Sequence, residues 1–405
     1  MYIVGKTGTG KSSLIANMAI SDIRQGNGIA LIDPHGDLAN TILSHIPKER
    51  IVDVVYFNPG DIEHPIALNP LFNIQKDSHH FVVSGLLSVF RKIWSEFWGP
   101  RLEHILRYCL YTLLEYQHGT LLDITPLLTQ VEFRKKILSS VTEKPVLSFW
   151  NNEFDKYSAW LRSEATAPIL NKMSHFLTSL PLRNIVGQTK SSFKFRDIMD
   201  KGKILIVNLS KGSLGEDNSS LVGSMIATLI YLAAVSRARI PEEHRRSFYC
   251  YVDEFHNFIT LSFADILSEA RKYGMHLILA HQYVRQLHES IRDAIFGNVG
   301  TLISFRVGTN DALYLEKEFS PTFTTHDLIN LPNYNIYLKL MVDGVTSQPF
   351  SATTLPLPHI EQSYKPIIIE HSRKKYSLPR ECVEREIKFR NEGIQIKKSF
   401  QERLL

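Results

Sequence analysis

Eight residues at the start of the chain are of the right types and spacing to hold phosphate: Gly5, Lys6, Thr7, Gly8, Thr9, Gly10, Lys11 and Ser12 fit G-x-x-x-x-G-K-[ST]. The motif follows the strand-like Tyr2-Ile3-Val4 and leads into the apolar-periodic run Leu14 to Ile20, so strand, loop and helix come in the order a phosphate loop requires. Its glycines let backbone N–H groups turn inward on a phosphate at a helix N-terminus, where the helix dipole also favours negative charge. Lys11 would then reach the β- and γ-phosphates. Ser12 would offer its hydroxyl to Mg²⁺, and the amide of Ser13, free in the first helical turn, would meet the α-phosphate. The plain alternative, a glycine-rich turn, accounts for neither the lysine nor the two flanks.

A second group of candidates lies far along the chain. Phe248-Tyr249-Cys250-Tyr251-Val252 is an apolar strand ending in Asp253-Glu254. Such an acid pair suits a phosphate loop, Asp253 holding Mg²⁺ through water and Glu254 polarising an attacking water. Alone it would equally open a helix. The run His276 to His281 is another strand, and Gln282 at its end would lie at the carboxyl edge of an open sheet, where ligands bind. There it would sense a γ-phosphate or simply face solvent. Arg271, with Lys272 just ahead of that strand, and Arg306, at the end of Ser304-Phe305-Arg306, are two positions for an arginine finger or for a surface ion pair. In Asp33-Pro34-His35-Gly36-Asp37 the acids would position water or Mg²⁺, or His35 would touch a neighbouring subunit; turn chemistry supports a tight turn and a capped helix instead.

Positioning these groups takes alternating strands and helices. Strand-like runs at Tyr2 to Val4, Gly28 to Asp33 and Ile51 to Phe57, with a helical stretch Leu38 to Ser44, begin a parallel sheet built from right-handed crossovers. From about His79 to Gln188 the pattern turns helical. Leu102, Ile105, Leu106, Cys109, Leu110, Leu113 and Leu114 make one apolar face, Asp123-Ile124-Thr125-Pro126 reads as a helix start, and Val146 to Leu161 is aromatic-rich. Strand signals resume at Lys203 to Asn208, Phe248 to Asp253, His276 to His281, Thr301 to Phe305 and Ile336 to Val342, with helices between the first four. The expected divisions are residues 1–78 and 190–360 for one α/β domain, 79–189 for an all-helical insertion, and 361–405 for a basic tail, partly helical or disordered.

Composition narrows the class further. The chain of 405 residues exceeds one ordinary core. Three cysteines, Cys109, Cys250 and Cys382, lack zinc or C-x-x-C spacing and read as buried thiols in a reducing compartment. The histidines show no ligand spacing, so no structural metal is expected. Leu221 to Val235, broken by Gly223, Ser224 and Thr228, reads as a buried core helix, and no secretory signal is expected because the first residues belong to the phosphate-loop unit. The net charge of +5 lies in residues 365–405, which hold 11 Lys and Arg against 6 Asp and Glu, leaving 35 against 35 elsewhere. A neutral body argues against tight static DNA binding, although residues at 183, 190, 194 and 196 form a small basic cluster facing either nucleic acid or water. Asn171-Lys172-Met173-Ser174 lacks the acid of an N-K-x-D guanine reader, and the acid pair suits water activation better than a small-molecule kinase.

In their order, the phosphate loop, Leu31-Ile32-Asp33-Pro34-His35-Gly36-Asp37, Tyr251-Val252-Asp253-Glu254, Glu269-Ala270-Arg271-Lys272-Tyr273-Gly274 and Leu279-Ala280-His281-Gln282 make residues 1–355 resemble the HerA/FtsK superfamily of P-loop ATPases. The nearer likeness is to conjugative coupling proteins of the TraG/TraD kind. The resemblance implies a RecA-like α/β fold with a mainly parallel sheet flanked by helices and an inserted all-α domain. It also implies an ATP- and Mg²⁺-dependent, DNA-translocating ring, usually a hexamer, with Lys11 and Ser12 on phosphate and metal, Asp253 on metal, Glu254 on water, Gln282 as sensor and Arg271 as the finger. Arg271 is preferred to Arg306 because it stands eleven residues before Gln282. Coupling proteins carry a membrane-spanning region ahead of the phosphate loop, whereas here Met1 stands four residues before Gly5, so the chain is expected to be a fragment or a soluble relative. It would work in the cytoplasm, or at the inner face of the membrane with an anchor. Secretion-system or membrane-anchored proteins are expected partners. A nucleotide-controlled docking ATPase and a HerA-like DNA-processing motor are the alternatives.

Overall fold

The computed structural model describes residues 1–260 and 267–391, without the side chains of residues 175–177 and 391. The chain divides into two compact units, Met1–Phe57 with Phe195–Ser372, and Asn58–Lys194 with Arg373–Leu405.

The first unit is built on a sheet. Among the described residues its strands are β1 (Tyr2–Val4), β2 (Gly28–Asp33), β3 (Val54–Phe57), β4 (Ile204–Asn208), β5 (Phe248–Val252), β6 (Met275–His281), β7 (Leu302–Ser304), β8 (Asn335–Lys339) and β11 (Phe350–Thr353), with the short β9 (Met341–Val342) and β10 (Val345–Thr346) forming a separate hairpin. The sheet order is β11-β8-β7-β1-β6-β5-β2-β4-β3. From β7 to β3 every pairing is parallel, and β8 and β11 extend the sheet antiparallel. Strands covered on both faces read as continuous apolar runs, and every residue of β1, β2, β3 and β4 is buried. Ile29, Leu31, Ile204 and Ile206 pack with Ile15, Ile20 and Ile23 of helix α1 (Lys11–Arg24) and with Leu38, Ile42 and Leu43 of helix α2 (Asp37–His45). Ala30, Ile32, Leu205 and Val207, also buried, face the other way by the two-residue repeat of a strand.

Several local expectations need correction. Pro47 opens a 3-10 turn over Lys48–Asp53, clamped by Arg50 Nε on Asp53 Oδ2 at 2.8 Å, so the strand expected from Ile51 begins at Val54. The run Ile336 to Val342 breaks at Leu340, whose amide donates to Ser347 Oγ at 3.0 Å, and the remainder turns into the β9–β10 hairpin. Between β5 and β6 the described residues include helical residues 267–269, in line with the helix expected there, flanked by 3-10 turns at Phe255–Asn257 and Ala270–Tyr273. The apolar helix is Glu216–Ser236. By length and composition it could cross a membrane, yet 61% of its most apolar stretch is buried, as expected of a core helix.

The second unit is helical. The stripe Leu102, Ile105, Leu106, Cys109, Leu110 and Leu113 on the Pro100–Glu115 helix is buried, with Leu114 half-buried. Trp150, fully buried, donates from Nε1 to Thr112 Oγ1 on that helix at 2.8 Å. Asp123 stands at the N-cap position of the Ile124–Thr129 helix, where a helix start was expected, but its carboxylate turns back to accept from the Thr120 amide and hydroxyl, closing a capping box one turn earlier. The unit starts at Asn58 rather than at residue 79, because the irregular stretch before the first long helix is fastened to it. Asn69 donates to Gly119 O and Thr189 O, and Leu68 N to Ile185 O. Part of the tail also belongs here, as the Arg380–Asn391 helix, with Arg380 on Glu63. Residues 392–405 of the expected basic tail lie outside the described residues. Cys109 and Cys250 are buried and Cys382 half-buried, all three free thiols.

Candidate functional site

The parallel strands bring their carboxyl ends to one edge of the first unit. Val4 is in register with His281 on one side and Ser304 on the other, and Val252 with Leu279 and Ile32. The phosphate loop after β1, Asp253-Glu254 after β5 and Gln282 after β6 therefore emerge side by side.

The loop is shaped before any ligand arrives. Gly8 and Gly10 hold φ of 78° and 115°, a region that disfavours side chains, and Gly10 immediately precedes α1. Thr9 is buried and its hydroxyl donates to Lys6 O at 2.7 Å, closing the loop on itself. Lys11 is buried with Nζ donating to Gly5 O at 2.6 Å and Lys6 O at 3.1 Å. Burial holds its pKa below the ordinary lysine value, against the pull of Glu254 and Asp253. Lys6, Thr7, Gly8 and Ser12 are exposed, leaving an open rim that carries the Ser12 hydroxyl.

Across from the loop stand the acids. Asp253 is buried, and burial together with the nearby Glu254 and Asp33 carboxylates pushes its pKa up to about 7, opposed by Lys11. Surplus negative charge of that kind suits a divalent cation. Among the described residues no three His, Cys, Asp or Glu side chains are grouped to hold a metal unaided. Mg²⁺ takes one or two protein ligands and completes its shell with phosphate and water, and Asp253 with the exposed Ser12 hydroxyl are the groups that would supply them. Glu254 sits in the left-handed region at φ 44°, uncommon for a residue with a side chain. Its carbonyl accepts from the Asn257 amide and side chain at 3.0 Å each, which fixes the turn. Its carboxylate accepts from Gln282 Nε2 at 2.9 Å on one oxygen and lies 3.5 Å from His256 Nδ1 on the other. His281, fully buried against the rings of Tyr2 and Phe255, is pushed down to about 3 by burial and stays neutral.

Not every candidate joins this group. Both oxygens of the buried Asp33 are taken by the backbone amides of His35 and Ala39, at 2.8 Å each, so this acid builds the turn into α2 and leaves His35 and Asp37 exposed. Arg271 lies before β6, at the opposite end of a seven-residue strand from Gln282, about 20 Å away at the rise of a strand, and cannot serve this chain's own loop. Arg306 is at the loop: its carbonyl accepts from Lys6 N at 2.9 Å and its guanidinium binds Asn333 Oδ1 at 2.9 Å. Arg196 of the basic cluster is engaged with Asp200 and Ser236. Tyr334 went unnoticed in the sequence, where it carries no motif; its amide donates to Thr9 O at 2.8 Å and its ring abuts Gly10.

Comparison with known proteins fits this arrangement. Residues 1–316 match the family model for the type IV secretion-system coupling protein DNA-binding domain. The structure is similar to the bacterial conjugative coupling protein TrwBdeltaN70 in its unbound form (TM-score 0.61, 16% identity, 89% of this chain and 85% of that one). It is equally similar to the plasmid coupling protein TrwB in complex with the non-hydrolysable ATP analogue ADPNP (0.62, 17%, 89% and 85%). VirB4 of Thermoanaerobacter pseudethanolicus follows (0.53, 16%, 88% and 89%). At these identities the likeness is one of fold. No curated protein matches the chain. The match over 316 residues, on a mainly parallel sheet with its phosphate loop after an inner strand, shows that the chain belongs to the type IV secretion-system coupling protein family of P-loop ATPases, with their RecA-like α/β fold.

Proposed function

We propose that this chain is an ATP-hydrolysing motor that moves DNA in conjugative transfer or type IV secretion, acting as a homo-oligomeric ring, hexameric by resemblance. The observation that carries the reading is Glu254, set at a strained strand tip and held by Gln282 beside Lys11 and Asp253. The matched family's DNA-binding description and the nucleotide bound in TrwB support it.

In this reading Lys11 exchanges the carbonyls of Gly5 and Lys6 for β- and γ-phosphate oxygens, while the N–H groups of the loop through Ser13 take the remainder. Ser12 and Asp253 would hold Mg²⁺, which neutralises charge on the phosphates. Glu254 orients the attacking water and takes its proton. Gln282, bound to Glu254 in this structure, responds to the γ-phosphate and couples its presence to the position of the base. Arg271 belongs to a neighbour's site, since its own lies a strand length away. The motor works in the cytoplasm, at the inner face of the membrane where an anchor or secretion partner holds it.

A mixing experiment tests the ring. Lys11→Ala and Arg271→Ala chains, each inactive alone, should recover hydrolysis when combined, because a mixed ring pairs an intact loop with an intact arginine. No recovery at concentrations where the chains demonstrably assemble would remove Arg271 from the mechanism.

A further inference from the structure

Tyr334 stands one residue before β8 with φ 65°, a left-handed conformation unusual for a bulky side chain. The backbone is held there from both sides. Its amide donates to Thr9 O in the phosphate loop at 2.8 Å, and its carbonyl accepts from Thr354 N at 2.7 Å and Thr354 Oγ1 at 3.0 Å. The ring lies so close to the loop that a Cβ on Gly10 would come within 2.9 Å of Cδ1. Even so, Tyr334 remains 54% exposed. The segment after Thr354 is fastened to the same helix, Asn17 Nδ2 of α1 donating to Leu355 O at 2.9 Å and Pro356 O at 3.3 Å, and Leu355 is 74% exposed. The backbones of a tyrosine and a leucine are thus fastened to the phosphate loop and its helix, one by a main-chain bond and one by the Asn17 side chain, and their side chains are left open to solvent.

Packing does not explain a half-exposed ring whose backbone is held at the mouth of a phosphate site. A ligand does. The loop reads phosphates, which are the same in every nucleoside triphosphate, and a nucleotide held there carries its base out beyond the loop. We propose that Tyr334, with Leu355 beside it, is the platform on which that base stacks. The inference rests on reading Gly5 to Ser13 as a nucleotide site and adds which part of the nucleotide is recognised, and by what. Stacking responds to ring area and not to the hydrogen-bonding edge, so purine nucleotides should bind more tightly than pyrimidine nucleotides. Both residues lie beyond the 316 that match the family model.

The test is calorimetric binding of ATP, UTP and inorganic triphosphate to the full chain. Loss of one base–aromatic stack corresponds to about 5- to 150-fold in affinity. Tyr334→Ala should weaken ATP by at least about fivefold, bring ATP and UTP together, and leave inorganic triphosphate unchanged, while Tyr334→Phe should bind ATP like the wild type. Equal loss for ATP and inorganic triphosphate would make Tyr334 a strut for the loop and overturn the platform. Unchanged ATP affinity in Tyr334→Ala, with binding still abolished by Lys11→Ala, would overturn the platform and leave the nucleotide site standing. Wild-type protein that binds none of the three would overturn both.

Discussion

Replacing Gly10 by alanine separates backbone strain from steric crowding at the phosphate loop. At φ 115° an L-residue pays at least the left-handed penalty, about 1–2 kcal/mol. The new methyl would also stand 2.9 Å from Tyr334 Cδ1 and 3.2 Å from Phe305 Cε1. Phe305 is fully buried and Tyr334 is tied by its backbone, so neither ring retreats freely, and forced overpacking of this kind costs about 1–3 kcal/mol more. The sum is about 2–5 kcal/mol. Gly8 is the internal control: its φ is 78° and a Cβ there meets nothing within 4 Å, so Gly8→Ala should cost only the backbone share, about 1–2 kcal/mol. Denaturant unfolding of the ligand-free chain would measure both. Adding Tyr334→Ala should recover part of the Gly10→Ala loss and none of the Gly8→Ala loss, a coupling of about 0.5 kcal/mol or more. Equal costs for the two alanines, or no coupling to Tyr334, would refute the packing described for this loop.

Three further outcomes follow from the same geometry. Glu254→Gln should keep ATP binding but slow single-turnover hydrolysis by about 10²- to 10⁴-fold, as expected when a positioned base is removed. The raised Asp253 pKa makes the ligand-free fold bind a proton that the unfolded chain has lost between pH 3.8 and about 7, so this carboxyl's contribution to stability falls as pH rises through that window; unfolding free energies against pH should show the fall in wild type and not in Asp253→Asn. Arg237, buried, donates to Tyr273 O at 2.9 Å and Arg246 O at 2.5 Å and lies 3.1 Å from Oδ1 of the exposed Asp200, so Arg237→Ala, which strips both carbonyls of a charged donor, should destabilise the first unit by about 2–4 kcal/mol in denaturant unfolding.

What could be read in the sequence was local. The phosphate loop and Asp253-Glu254 are contiguous runs with definite flanks, and the all-buried β2 announces itself as an unbroken apolar segment. Bringing Gln282 onto Glu254 depends on the neighbouring places of β5 and β6 in the sheet, which no spacing states. The same holds for Tyr334, 52 residues past Gln282 at the end of the last motif and set on the loop by a single main-chain bond to Thr9. Asp33 stayed open to two readings because an acid after a strand looks alike whether it meets a ligand or caps the next helix; two backbone amides decide for the turn that its Pro and Gly neighbours favour. The boundary at Asn58 escaped because the following stretch is irregular and held by single polar contacts such as Asn69 to Gly119, which leave no periodicity.

A DNA-moving motor must couple ATP hydrolysis at this site to DNA. Steady-state hydrolysis, measured with and without single- and double-stranded DNA over a range of protein concentrations, tests it most directly. Turnover should rise with assembly, be stimulated by at least one form of DNA, and be lost in Lys11→Ala. Turnover indifferent to DNA at every concentration, in protein shown to form rings, would contradict it.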